Sequence, residues 1–197
     1  IVCPEFSTSM LWNVNQCRKV IWWLSVKNYD GHPAMRILAV RHWLKQSARS
    51  LGNLLRFDEY YHPYNRADVE HYCASKFAYQ YVTDTLKCKA EMLVEPISKP
   101  FLELGPVWTC SAGRRDCVAY NPAKPSRIMT ELLKRNEFDF IPIQNMNPQQ
   151  IAELLRSVKL YVDFGDFPGP ERIPKEAAYN GAAVIVAKKN AAINDFD

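Results

Sequence analysis

The sequence lacks the patterns by which cysteine, glycine and long apolar runs usually announce a function. Six cysteines, at positions 3, 17, 73, 88, 110 and 117, form no CxxC pair and no Cys/His cluster at metal-ligand spacing, which argues against a zinc site and a secreted disulfide framework. Reduced thiols in a cytoplasmic protein are the default that follows. The longest apolar run, "VIWWLSV" from Val20 to Val26, is far too short to span a bilayer, and no signal-peptide pattern opens the chain. No G-x-G-x-x-G follows any candidate strand, which disfavours a dinucleotide-dependent oxidoreductase. Internal repeats and low-complexity tracts are also missing.

What remains is ordinary globular material: 197 residues, 48% hydrophobic and 23% charged, enough for one large domain or two small ones. The formal charge of +4 is modest and unevenly placed. The chain opens on "IVCPE" without an initiator Met and stops soon after the run Gly181 to Ala187, so a fragment of a longer protein is expected.

From residue 117 the pattern is regular. "CVAYNP" reads as a strand, "SRIMTELLKR" as a helix with Ile128, Leu132 and Leu133 on one face, and "FDFIPI" as the next strand. In "NPQQIAELLRSVK", Asn147 suits an N-cap, Pro148 the first helical position and Gln150 the third, a capping box. "LYVDFG" is a further strand, Ile173 to Asn180 a short helix ended by Gly181, and "AAVIVA" a last strand. Such alternation implies a parallel sheet covered on both faces by right-handed crossovers. In the first half, "IVCPE" and "KVIWWLSV" look like buried strands, "CASKFAYQYVTDTL" like a helix and "AEMLVEP" like a later strand. Between the halves, 98–115 has two prolines, two glycines and no sustained period, as an interdomain linker would.

Ligands of open parallel sheets bind beyond the carboxyl ends of the strands, where helix N-termini present unpaired N–H groups. Residues 165 to 176 occupy such a place. "GDFPG" lets the backbone turn closely, Arg172 can fork onto phosphate oxygens, and Glu176, one turn further on, can accept hydrogen bonds from a ribose diol. The bland alternative is an exposed Arg172–Glu176 ion pair worth a few tenths of a kcal/mol, roughly, as such pairs usually are. Likewise "YNPAKP" can cradle phosphate through Lys124 or be a solvated turn.

The segment "CVAYNPAKP … IPIQNMNPQQIAELLRSVKLYVDFGDFPGPERIPKEAAYNGAAVIV" resembles the donor-binding domain of a bacterial GT-B glycosyltransferase, and "IVCPE" with "KVIWWLSVKNY" resembles the acceptor-side domain of that group. The resemblance implies an α/β chain of two Rossmann-like domains: an incomplete acceptor-side domain over 1–104 and a truncated donor-binding domain over 105–197. It places Glu176 on the donor ribose, in register with Gly181 and Val184–Ile185, and Lys124 and Arg172 on the diphosphate. Asn121, Gly165, Asp166 and Gly169 complete the donor-binding set. Many retaining members carry a second Glu eight residues before the ribose Glu. Pro168 stands there in this chain, leaving the donor sugar and the stereochemical outcome open.

Glycosyl transfer needs fixed positive charge for the leaving diphosphate, here Arg172 and Lys124, and a base for the acceptor hydroxyl. Glu5 and Asp30 are the nearest base candidates, with His32 beside them, although Glu5 can equally cap a turn and Asp30 make one with Gly31. No cofactor and no bound divalent metal is expected. The segment 33–56 carries Arg36, Arg41, Lys45, Arg49 and Arg56 and no acidic residue, with Ile37, Leu44, Ala48, Leu51 and Leu55 on one helical face. Such a helix can lie on an anionic membrane surface, where a lipid-linked acceptor would be found, but is more often core-facing with a solvated basic side. Partners are therefore a nucleotide sugar and a glycan or lipid-linked acceptor, with no nucleic-acid-reading motif present. The expected role is sugar transfer in surface-polysaccharide assembly. The alternatives are a nucleotide-sugar epimerase on the same fold and a noncatalytic nucleotide- or glycan-binding module.

Overall fold

The computed structural model describes residues 1–11, 16–29, 40, 44, 68–107, 113–135 and 137–195. Asp30, His32 and all of 33–56 except Val40 and Leu44, which are helical and exposed, lie outside the described residues. The chain is α/β and divides into two compact units, one of 1–94, 168–170 and 193–197, the other of 95–167 and 171–192. Among the described residues no helix is long and apolar enough to cross a membrane.

In the first unit, β1 (Val2–Pro4), β2 (Lys19–Trp23), β3 (Val69–Cys73) and β4 (Glu91–Met92) form a parallel sheet in sequence order. Its core follows from the period of two along a strand. Lys19, Ile21 and Trp23 pair with Val69, His71 and Cys73, and all six are buried on one face. Cys3, Leu11, Val26 and Tyr29 join them. The indole N–H of Trp23 donates to His71 Nδ1 at 3.1 Å, and the buried Lys19 ammonium is ion-paired with Asp68. Strand β3 has no counterpart in the sequence reading, because His71 and Glu70 break the apolar run that would have marked it. Ser75 caps α1 (Lys76–Gln80), accepting from the Ala78 N–H at 3.0 Å, and a π-helical turn, Tyr81–Thr85, continues it. The expected strand at "AEMLVEP" shrinks to Glu91–Met92 on the sheet edge.

The second unit begins with α2 (Lys99–Glu103), inside the stretch expected to link the halves; Phe101 anchors it in this unit's core. Then come β5 (Arg115–Tyr120), α3 (Arg127–Lys134), β6 (Asp139–Pro142), α4 (Pro148–Ser157), β7 (Val158–Asp163), α5 (Arg172–Tyr179) and β8 (Ala183–Val186); of the last helix, α6 (Ala191–Asp195), only Ala191 and Ala192 belong to this unit. The sheet is parallel with order β6-β5-β7-β8. Both faces are covered, as right-handed crossovers on either side of β5 require. Val118 and Val162 pack with Met129 of α3 on one face. Ala119 and Tyr161 pack with α4 and α5, through Ala152, Leu155 and Ala177, on the other.

The capping box forms as expected: Gln150 N–H donates to Asn147 Oδ1 and Asn147 N–H to Gln150 Oε1, both at 2.9 Å. The inward face of α3 differs. Met129 is buried with Leu132 half-buried beside it, whereas Ile128 and Leu133 are exposed. The Ser126 cap, which accepts from the Met129 N–H at 3.1 Å, starts the helix at a phase that turns Met129 to the sheet. Arg114 ties two helix ends together. Its guanidinium donates to the carbonyls of Leu155 at 3.3 Å, Val158 at 2.9 Å and Asn180 at 2.5 Å. Gly181, at φ 78°, ends α5, and a Cβ there would fall 2.6 Å from Arg114 Nη2.

Candidate functional site at the reversal of strand order

Strand β6 lies on one side of β5 and β7 on the other, so the carboxyl ends of β5 and β7 flank the point where strand order reverses. A crevice forms at such a point because the two following connections leave toward opposite faces. After β5, the Ala123 N–H donates to Asn121 Oδ1 at 3.0 Å, a side-chain-closed turn that presents Lys124. After β7, Asp163 ends the strand with its side chain only 2% exposed. Its Oδ1 accepts from the Gly165 N–H at 2.9 Å and its Oδ2 from the Tyr161 hydroxyl at 3.2 Å. The Tyr161 phenol is pushed well above its usual pKa, first by burial and then by the Asp163 charge, so it stays a donor.

Lys124 bridges the two connections. Its Nζ is 3.9 Å from Asp163 Oδ2, is ion-paired with Glu171, and stands 4.7 Å from the centre of the Phe167 ring. Gly165 makes this approach possible, since a Cβ there would lie 2.6 Å from Lys124 Cβ. Glu171 is the N-cap residue of α5 in extended conformation, and its side chain makes no capping bond. Arg172, the first residue of that helix, is exposed and makes no ion pair with any described residue.

Of the sequence candidates, Lys124, Asn121 and Gly165 meet here. Asp166 accepts from the Asn190 side-chain amide instead. Gly169 belongs to the first unit, where a Cβ would fall 1.8 Å from the Leu24 carbonyl oxygen. Glu176 is buried and accepts from the Ser98 hydroxyl at 2.7 Å, so the exposed Arg172–Glu176 pair does not form. Glu5 is fully buried, its two oxygens accepting from the N–H groups of Leu24 at 2.9 Å and Ser25 at 2.8 Å; it holds the loop after β2. Asp30 lies outside the described residues. The sequence reading missed Asp163 and Glu171. A lone carboxylate closing the apolar run "LYVDF" was the available signal for Asp163, and Glu171 had none beyond its place beside Arg172.

A hollow of about 350 Å³ in the first unit is lined by Glu70, His71, Tyr72, Lys89 and Glu91, and one of about 470 Å³ in the second by Arg115, Met146, Gln150 and Glu153. None of these residues belongs to the Lys124 cluster. Among the described residues no group of three or more His, Cys, Asp and Glu gathers at metal-binding distance. One Asp-x-Asp triplet ends the chain. Its Asp195, in the first unit, accepts from the Lys76 N–H at 2.8 Å, and its Asp197 lies outside the described residues. Comparison with known proteins adds no relative: no family model, no curated protein and no solved structure matches the chain.

Proposed function

We propose that the chain is part of a glycosyltransferase of GT-B type, and that its second unit binds a nucleoside-diphosphate sugar at the carboxyl ends of β5 and β7. The observation that carries the reading is Lys124 held at the strand-order reversal, with the exposed Arg172 at the start of α5. In this reading the diphosphate accepts from Lys124, Arg172 and the first N–H groups of α5. As the bond from the sugar to the diphosphate breaks, negative charge grows on the leaving oxygen, and the two cations meet it without reorganising. Glu176 takes the ribose diol by exchanging its bond to Ser98. The acceptor hydroxyl loses its proton to a base on the acceptor side, with Asp30 as candidate. The role in surface-polysaccharide assembly and the cytoplasmic location belong to the same reading.

One observation favours a second reading. Glu5, the other candidate base, has both oxygens engaged by backbone N–H groups. A noncatalytic nucleotide-binding module needs no base. Titration of nucleoside diphosphates into the native chain and Glu176→Ala tests the shared part: loss of the ribose contact should weaken binding by about 1.5–3 kcal/mol. Equal affinity in a folded variant removes Glu176 from the site. Product analysis with a nucleotide sugar, with and without acceptor, then separates transfer, epimerisation and binding alone.

A further inference from the structure

Tyr161 and Asp163 stand two residues apart on β7, so both side chains leave the same face of the strand. The Tyr161 ring is fully buried among Ala152, Leu155 and Ala177, which fixes the place of its hydroxyl. Two donors hold the Asp163 carboxylate, one on each oxygen: the Gly165 N–H on Oδ1 at 2.9 Å and the Tyr161 hydroxyl on Oδ2 at 3.2 Å. Held in this way, Oδ2 stops 3.9 Å from Lys124 Nζ, beyond hydrogen-bonding distance. Asp163 therefore attracts the ammonium without bonding to it. A carboxylate free to pivot would close that gap, since bonds from an ammonium to a carboxylate settle at about 2.7–2.9 Å.

We infer that Tyr161 is a positioning residue of the anion site: by holding Asp163, its hydroxyl keeps the Lys124 ammonium from closing onto that carboxylate and leaves it able to meet an incoming phosphate. The inference rests on the phosphate-binding reading of Lys124 and adds to it a residue that touches no ligand. The Gly165 N–H alone does not suffice, because one bond leaves the carboxylate free to turn about it. The Tyr161 hydroxyl remains a donor throughout, since burial and then the Asp163 charge hold its proton in place. A bond between Lys124 and Asp163 would also be hard for a ligand to break, because Asp163 is 2% exposed and an ion pair strengthens as water is excluded.

The test removes one oxygen: Tyr161→Phe keeps the ring in the core and takes away only the hydroxyl. Lys124 is followed in the full chain by its rate of acetylation with N-hydroxysuccinimide acetate, read by mass spectrometry well below the melting temperature of each variant. Closing onto Asp163 should slow Lys124 roughly three- to tenfold, between an exposed ion pair and a buried charged hydrogen bond, while the exposed Lys99 reacts as before. Inorganic pyrophosphate, titrated calorimetrically at one ionic strength, should bind more weakly by a similar factor. A merely structural role predicts the opposite sign, because a loosened core opens the loop and Lys124 reacts faster. An unchanged or faster rate in Tyr161→Phe overturns the inference, and so does native pyrophosphate affinity in a variant whose Lys124 has slowed. Asp163→Asn added to Tyr161→Phe keeps an oxygen for the Gly165 N–H but no charge for Lys124, and should restore the native rate or exceed it; a rate that stays low overturns Asp163 as the route. The site itself is read separately, from the native chain and Lys124→Ala. If the native chain takes up no pyrophosphate, or Lys124→Ala binds it equally, the anion site falls, and Tyr161 with it as a residue of that site, whatever the acetylation rates.

Discussion

Gly165→Ala isolates the close approach on which the site is built. The backbone of Gly165 does not lie in the left-handed region, so alanine meets no conformational barrier there, only the atoms a Cβ would touch. Those are Lys124 Cβ at 2.6 Å and Lys124 Cδ and Asp163 Oδ1 at 3.0 Å. Carbon atoms at rest stand about 3.5–4.0 Å apart, so the Lys124 connection must withdraw by about an ångström. Because Cβ is fixed to the backbone, the loop moves and not only the tip of the lysine. Overpacking of this kind costs about 1–3 kcal/mol, offset by about 0.4–1 kcal/mol from the stiffer unfolded chain. A net loss of about 1–2 kcal/mol lowers the melting temperature by roughly 4–8 °C for each kcal/mol in a small domain. Misplacement of a positioned cation by about an ångström should weaken pyrophosphate binding by roughly ten- to a hundredfold. Differential scanning calorimetry and titration calorimetry read the two effects. Native affinity together with a native melting temperature would refute the argument, because the Cβ would then have found room that the packing denies it.

Three further outcomes follow from the same structure. Arg172→Ala should leave the melting temperature unchanged, since Arg172 is exposed and ion-paired with no described residue, but lower turnover about 10²–10³-fold with partial rescue in Arg172→Lys; steady-state kinetics with native turnover in the alanine variant would remove it from the reaction. Arg114→Ala strips donors from the carbonyls of Leu155, Val158 and Asn180 and should destabilise the second unit by about 3 kcal/mol or more, read from urea denaturation. Burial pushes the Cys73 thiol up from its ordinary value of 9.0 to about 12, so the folded state holds a proton that the unfolded chain releases, and stability falls as pH rises from about 9 toward 12. The urea midpoint should therefore drop more between pH 8 and pH 10 in the native chain than in Cys73→Ala; equal drops would remove Cys73 as the cause.

Local signals carried the second unit further than the first. Its strands are short apolar runs separated by strong helix-start chemistry, Ser126 and the Asn147–Gln150 box, and each boundary is set by residues adjacent in sequence. In the first unit, β3 holds its place through partners far away: His71 is buried because Trp23 donates to it and Ile21 stands opposite, and neither neighbour is visible from "VEHYC". The stretch around Phe101 reads as a linker for the same reason. Its prolines and glycines are local, whereas the core that Phe101 enters is assembled from α4, α5 and the sheet.

At the site, the sequence located charge without showing which charges were already engaged. Arg172 and Glu176 sit one turn apart, the spacing of a surface ion pair, yet the end of α5 that carries Arg172 is open while Glu176 meets Ser98 in the interior. Glu176 takes its priority from its register with Gly181 and β8, and register says only where a side chain starts. Glu171 matches no motif, but it is the carboxylate that reaches Lys124, because the chain from β7 to α5 must pass Lys124 on its way around Gly165. A lysine committed in this way is a different binding group from a free one. Its ammonium is held between Asp163 and Glu171, so an anion that came to it would compete with Glu171 for the same group.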